Sequence, residues 1–334
     1  MIYTGGTIGM MMDRDSGTLQ PLDFEQMSQL IPELMDCAYE LDYISFDPTV
    51  DSSNMGPARW IELAGIIEDH YESFDGFVVL HGSDTMAYTA SALSFMLENL
   101  NKPVIITGSQ LPLGVNRTDG KENFITSVEI ASHHEDETPI VPEVCIYFEN
   151  ELYRGNRTFK YNAENFDAFR SVNYPVLADV GVYIKYNRNA IRKPNFKKLK
   201  VHKKLDTAVA ILKLFPGITN DVVRSTLSIT GLKALIIETY GTGNTHTDKS
   251  FVNIIEEAIG KGLFVLNITQ CKGGAVEHGK YQASLPLAGA GVISGHDMTL
   301  EAALTKLMFL LGQGYTGNKL KTAVQRSLRG ELGS

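Results

Sequence analysis

The stretch GFVVLHGSDTMAYTASALSFMLENLNKPVIITGSQ, residues 76–110, holds two unbroken apolar runs on either side of a helix-length segment. Neither FVVL nor VIIT alternates apolar with polar residues, so each reads as a strand buried on both faces. Between them Met86, Ala90, Leu93 and Leu97 recur at helical spacing, and Asp84 is placed to cap the start. Both runs then pass into small polar residues, HGSDT and TGSQ.

The same alternation continues outward. EVCIYFEN (143–150), AVAILKLFPG (208–217), ALIIETYGTGN (234–244), LFVLNITQC (263–271) and AGVISGHD (290–297) are further apolar runs, and helical patterns cover 60–74, 119–134, 249–262 and 298–312. Apolar strands alternating with helices imply an α/β fold with parallel sheets covered on both faces. Ligands bind such sheets at the carboxyl ends of the strands, which here carry Gly, Ser, Thr and Asp. A site built from hydroxyls is expected there. A chain of 334 residues suits two domains. The basic stretch NRNAIRKPNFKKLKVHKK (187–204) breaks the alternation with Asn and Pro194 and reads as a solvated linker. The expected division is therefore a larger N-terminal domain over 1–187, a linker over 188–207 and a smaller C-terminal α/β domain over 208–334. No solenoid repeat is present.

Composition narrows the function. The net charge of −9 is spread along the chain, which opposes a nucleic-acid partner, and no apolar run has the length of a membrane span. Cys37, Cys145 and Cys271 are odd in number and far apart, so no disulfide framework or zinc knuckle is indicated and a reducing compartment fits. His133 and His134 are adjacent, but no metal-binding histidine spacing occurs, and no metal is expected. Only Met1 to Tyr3 precede the first glycine turn. The first strand should look short, and the sequence does not fix whether the natural N-terminus extends before Met1.

That turn, TGGTIG at 4–9, leads from a strand end into backbone that no Cβ obstructs, exposing the Thr7 hydroxyl. Neither it nor GTGNTH (241–246) fits the dinucleotide fingerprint, and no phosphate-loop motif, serine-hydrolase elbow or S-x-x-K pair occurs. A threonine nucleophile remains, which needs a base or proton relay because an unactivated hydroxyl attacks poorly.

YTGGTIGM (3–10) and LHGSDTMAYTASALSFMLENLNKPV (80–104) resemble the two signatures of the bacterial-type L-asparaginases. DSSNM (51–55), LYRGNRTFK (152–160), FDAF (166–169), FPGITNDVVR (215–224) and LRGEL (328–332) resemble the cytoplasmic type I branch, in the expected order over nearly the whole chain. The resemblance implies a cofactor-free hydrolysis of L-asparagine to L-aspartate and ammonia by a homodimer or homotetramer. By position, Thr7 matches the nucleophile, and Ser83, Asp84 and Lys160 match a hydroxyl, carboxylate and amine that move protons. Asp84 would also hold the substrate α-ammonium. Ser52, with Asp51 and Ser53, matches the segment gripping the α-carboxylate, and Asn244 matches an Asn contributed by the adjacent subunit. Amides beside Thr7 and Ser83 are candidate oxyanion donors. Thr4 reads as strand-end structure, Ser109 and Gln110 as strand-end packing, and Asn116 and Arg117 receive no role.

Three positions depart from the family pattern. Ser83 stands where Thr is usual, keeping the hydroxyl without the methyl that stiffens its rotamer. The lid segment MMMDRDSGTLQP (10–21) has Thr18 or Leu19 where the periplasmic branch has Tyr, leaving the proton partner of Thr7 open. Phe159 replaces a small hydroxyl residue and sets activation by asparagine at a second site in doubt. Two other readings stay in view: an amino-acid-binding paralogue without turnover, and an amidotransferase-type glutaminase acting on charged tRNA.

Overall fold

The computed structural model describes residues 1–12, 17–22, 24–34, 39–246, 248–277 and 285–333. They form two compact units, Met1–Lys203 and Lys204–Ser334.

The first unit is built on an eight-stranded sheet. Its strands are β1 (Ile2–Tyr3), β2 (Ile44–Ser45), β3 (Phe77–Leu80), β4 (Val104–Thr107), β5 (Val144–Phe148), β6 (Glu151–Arg154), β7 (Ala178–Val180) and β8 (Ile184–Tyr186), in the order β8-β7-β6-β5-β4-β3-β1-β2. Strands β1 to β5 are parallel neighbours, as the unbroken apolar runs predict. From β5 the sheet continues antiparallel through β6, β7 and β8. This meander is absent from the sequence-based expectation because its strands are short and lack a continuous apolar run. Strand β1 has only two residues.

Among the helices of this unit are α1 (Pro57–His70), α2 (Met86–Met96) and α3 (Gly120–Ser132). The periodic stripe on α2 understates its burial. Ten of its eleven residues are buried, including Thr89, Ser91 and Ser94. A helix so enclosed is a central core element. Gly155 lies against it closely enough that a Cβ there would meet the Cβ of Ala90 at 2.8 Å. Asp84 does not cap α2. The residue before the helix is Thr85, and the Asp84 carboxylate is engaged elsewhere.

The basic stretch is fastened down. Lys200–Val201 pairs antiparallel with Leu97–Glu98, and the Asn101 carboxamide oxygen accepts from the amides of Asn195 and Phe196. His202 meets Glu98 at 2.6 Å, and Lys203 meets Glu68 at 2.6 Å. The lysine side chains face water while the backbone is tied to the first unit.

The second unit carries a four-stranded, wholly parallel sheet in sequential order: β9 (Val209–Lys213), β10 (Ala234–Thr239), β11 (Phe264–Thr269) and β12 (Ile293–Ser294). Helices α4 (Asn220–Leu227), α5 (Lys249–Gly260), α6 (Leu300–Gly312) and α7 (Gly317–Val324) accompany it. Thr219, Asp248 and Thr299 cap α4, α5 and α6 through their side-chain oxygens. No helix among the described residues is long and apolar enough to cross a membrane.

Candidate active site

Strand register assembles the site. Tyr3 pairs with Leu80, and Leu80 with Thr107. Moving three residues past each strand end brings Gly6, Ser83 and Gln110 into one row, with Thr7 beside Gly6. The glycines allow the row to close up. A Cβ on Gly6, whose φ is +95°, would lie 2.4 Å from the Gly82 amide nitrogen, and one on Gly5 would lie 2.2 Å from the Val50 carbonyl oxygen. A Cβ on Gly82 would strike the Ser52 hydroxyl at 2.5 Å. The Thr7 turn meets the Val50 and Gly82 backbones, and Gly82 meets the Ser52 side chain, because three side chains are missing.

Thr7 opens a single 3-10 turn, Thr7–Gly9, and is half-buried. Its hydroxyl has no hydrogen-bond partner among the described residues. The turn is held from below by Tyr3, whose hydroxyl donates to the Gly9 carbonyl at 3.0 Å. Burial raises the Tyr3 phenol far above its ordinary range, which keeps it a neutral donor. Thr4 is buried, its hydroxyl donating to the Leu80 carbonyl at 3.1 Å, a structural bond between β1 and β3.

Ser83 lies between two nitrogen-bearing side chains. Lys160 Nζ donates to Ser83 Oγ at 2.9 Å, and Ser83 Oγ donates to the Gln110 carboxamide oxygen at 3.2 Å. Lys160 Nζ also donates to Asp84 Oδ1 at 2.6 Å. Lys160 itself is mostly enclosed, with 18% of its side chain exposed, whereas Asp84 is 68% exposed. An amine and a hydroxyl in contact can exchange a proton with a group beside them, and an open carboxylate can take a cation from solvent.

Lys160 reaches Ser83 from 77 positions away because the turn Gly155–Arg157 packs on α2, and the chain then pairs Phe159–Lys160 with Phe169–Arg170. Arg170 is clasped by Asp167, which closes that hairpin. Phe159 is buried in it.

The Ser52 turn divides the three residues assigned to it. Ser52 is buried beside Gly82, with its carbonyl accepting from the Thr85 hydroxyl at 2.5 Å. Asp51 instead caps its own turn, accepting from the Ser53 amide at 2.8 Å and the Ser53 hydroxyl at 2.6 Å. The Ser53 hydroxyl and amide hold the Asp51 carboxyl below the usual range. Asn244 belongs to the second unit, where its backbone bridges to Tyr240 and its side-chain oxygen is buried without a partner among the described residues. Of the lid segment, residues 13–16 lie outside the described residues. Met10–Met12 pairs with Leu19–Pro21, and the Thr18 hydroxyl accepts from Gln20 at 3.2 Å.

Gln110, which reads in the sequence as strand-end packing, is also a partner of the Ser83 hydroxyl. Its amide nitrogen is held by Asp119, and its carboxamide donates to the carbonyls of Ala163 at 3.3 Å and Asn165 at 3.0 Å. It therefore ties Ser83 to the segment that follows Lys160. The register of β3 on β4 is the signal that would have found it. Asn116 and Arg117 make no contact with these residues through any described hydrogen bond.

A cavity of about 560 Å³ in the second unit, between Arg224, Ile254, Lys261 and Leu320, contains none of these groups. Its lysines are engaged, Lys261 by Glu257 and Lys233 by Asp206.

Comparison with known proteins fits this arrangement. The family model for Asparaginase, N-terminal matches residues 1–192, and that for the Glutaminase/Asparaginase C-terminal domain matches 208–324. The chain belongs to the asparaginase family. It is 43% identical to L-asparaginase 1 of Escherichia coli strain K12, over 99% of this chain and 96% of that protein. The crystal structure of L-asparaginase I from Vibrio cholerae shares 41% identity with a TM-score of 0.89, covering 100% of this chain and 99% of that one. The mouse 60 kDa lysophospholipase is 41% identical over 99% of this chain but only 62% of its own length. The asparaginase fold thus spans the entire chain.

Proposed function

We propose that this asparaginase-family protein hydrolyses L-asparagine to L-aspartate and ammonia through an acyl-enzyme on Thr7. The observation that carries the reading is the Lys160 amine in contact with both Ser83 Oγ and Asp84 Oδ1, beside the glycine turn that presents Thr7.

Thr7 Oγ attacks the side-chain amide carbon of the substrate, and its proton passes to the neighbouring relay. The amides of Thr7 and Ser83 face the developing oxyanion. Collapse breaks the carbon–nitrogen bond, nitrogen takes the proton, and ammonia leaves an aspartyl ester on Thr7. Water then attacks the ester, giving its proton to the relay. Breaking the ester returns a proton to Thr7 and releases aspartate. Throughout, Asp84 holds the α-ammonium and Ser52 the α-carboxylate. The Ser83–Lys160 pair exchanges protons, a role worth about 10² to 10⁴ in rate.

The working assembly is a homodimer or homotetramer, with Asn244 of an adjacent subunit completing the substrate pocket. The cytoplasm suits the free thiols of Cys145 and Cys271. The test is ammonia release from L-asparagine and L-glutamine in parallel, with light scattering on the same sample. Release from asparagine supports the reading. Binding without release would favour an amino-acid sensor, and release from glutamine alone an amidotransferase-type glutaminase.

A further inference from the structure

Directly behind the Gly82–Ser83 peptide lies a buried hydrogen-bond chain with no role in the chemistry above. Trp60 Nε1 donates to Thr89 Oγ1 at 3.0 Å, Thr89 Oγ1 meets His81 Nε2 at 2.9 Å, and His81 Nδ1 meets the Gly82 carbonyl oxygen at 2.6 Å. His81 and Thr89 are fully enclosed and Trp60 nearly so.

The chemistry at the two ends fixes the direction of every proton. An indole nitrogen only donates and a carbonyl only accepts. His81 must therefore carry its proton on Nδ1 to meet the Gly82 carbonyl. Burial lowers the imidazole to about 4, so the ring is neutral at working pH and its Nε2 is a bare acceptor. The Thr89 hydroxyl consequently donates to Nε2 while accepting from Trp60. No alternative tautomer satisfies all three contacts.

We propose that Trp60, Thr89 and His81 are positioning residues that set the plane of the Gly82–Ser83 peptide and so aim the Ser83 amide and hydroxyl at the reacting carbonyl. In a trans peptide the carbonyl and the following N–H point in opposite directions. Pulling the Gly82 carbonyl toward the His81 ring turns the Ser83 N–H away from it, and that N–H has no acceptor among the described residues. The neighbouring glycine needs such a restraint. Gly82 has no side chain to limit its rotation, since a Cβ there would collide with Ser52. Flexibility required for close approach is removed again by a hydrogen bond from behind. A preorganised oxyanion donor is worth about 10² to 10³ in kcat when deleted outright, and one that is present but loosely aimed loses part of that.

This inference rests on the proposed asparaginase reaction, and its test separates the two. The full-length protein carries Thr89→Val, Thr89→Ser or Trp60→Phe, and kcat and KM for L-asparagine are measured with thermal stability recorded alongside. Thr89→Val removes both bonds at nearly constant volume and should lower kcat about 10-fold with KM within about 2-fold, while Thr89→Ser keeps the hydroxyl and should restore kcat. Trp60→Phe opens a larger gap in the core but leaves the Thr89 hydroxyl free to hold His81. It should cost more stability than Thr89→Val and less kcat. A merely structural role would make stability and kcat fall together, and that ordering would overturn the proposal. So would Thr89→Ser as impaired as Thr89→Val. Independently of substrate, nitrogen-15 NMR of labelled histidine in the unmutated protein should show His81 protonated on Nδ1 and unchanged from pH 6 to 8. A proton on Nε2 would overturn the assignment even in an active enzyme. With the Nδ1 tautomer found and no ammonia released, the failure belongs to the reaction.

Discussion

Two of the lysine–carboxylate pairs in the molecule, Lys306–Glu331 and Lys160–Asp84, have similar separations and differ in how fully each is satisfied. Lys306 Nζ meets Glu331 at 2.5 Å and also donates to the carbonyls of Val324 and Arg326, both at 2.7 Å, so its three hydrogens have three acceptors. Glu331 in turn accepts from the amides of Leu328 and Arg329. Both side chains are wholly buried. Lys160 is different: its described partners are Ser83 Oγ and Asp84 Oδ1, and Asp84 stands open to water, its second oxygen having no hydrogen-bond partner among the described residues. A saturated pair in a dry interior has no vacancy for a substrate, and its disruption strands a charge. The incomplete pair at a strand end can bind and exchange, at little gain in stability. The sequence motif around each pair, LRGEL and GSDT, does not separate these roles. Saturation and exposure do.

The largest effect expected from breaking this contrast lies at Thr7, the proposed nucleophile. Thr7→Ala should abolish turnover while calorimetry still detects asparagine binding, because in the proposed reaction Asp84 and Ser52 hold the α-groups without the nucleophile. Turnover near the unmutated rate would remove Thr7 from the mechanism.

Next come Lys160→Met and Ser83→Ala. Each should lower kcat by about 10² to 10⁴, and the double variant should be little worse than either alone, since members of one relay are not additive. Stability should change little, because Lys160 and Asp84 are not sealed in the core. Multiplicative losses in the double variant would make Ser83 and Lys160 independent contributors.

The closed pair should show the reverse pattern. Lys306→Met leaves Glu331 buried and charged, at a cost of about 3 to 5 kcal/mol in unfolding free energy, and any molecules that remain folded should keep an unaltered kcat. Acid sharpens the same point. Burial pushes the Glu331 carboxyl up, but Lys306 and the two amides outweigh it and leave it below its ordinary value. The unfolded chain therefore binds this proton first, so the stabilisation is present above about pH 4.5 and is lost as pH falls through the lower folded value. Denaturant melts at stepped pH should show this loss, and Glu331→Gln should reduce it.

Much of this organisation was legible in the sequence, but unevenly. The apolar runs that became β3, β4, β5, β9, β10 and β11 were plain because parallel strands buried on two faces cannot alternate. The helices after residues 85, 119, 248 and 298 followed from spacing. Three features were hidden. The meander β6–β8 has strands too short and mixed to stand out. The lysine-rich stretch reads as solvent-exposed because its side chains are, although Asn101 and Leu97–Glu98 hold its backbone. Asp84 was a reasonable helix cap by position, and only a lysine brought in over α2 gives it other work. The pairing of residues 83 and 160 came from family resemblance, not from any local pattern. Register could have supplied Gln110, since residues equally far beyond Leu80 and Thr107 must meet.

The smallest effect expected is also the one that tests how finely the open pair is tuned. Ser83 stands where the family pattern has Thr, and its hydroxyl is already positioned twice, by Lys160 at 2.9 Å and by Gln110 at 3.2 Å. A Thr methyl would restrict χ1 from within the side chain, but two hydrogen bonds of opposite direction already select the same orientation from outside. Ser83→Thr should therefore change kcat by no more than about 3-fold, because a restraint added to an oriented hydroxyl recovers only its residual rotamer entropy, well under 1 kcal/mol. Removing the outside restraint should reveal the inside one. With Gln110→Ala in place, the serine enzyme loses one of its two anchors and should slow, whereas the threonine version, held by its own methyl, should slow less. Kinetics of the four combinations would measure that coupling. If Gln110→Ala slows the serine and threonine enzymes equally, orientation of the hydroxyl is not what Gln110 supplies, and its bonds to Ala163 and Asn165 serve only to hold the Lys160 segment in place.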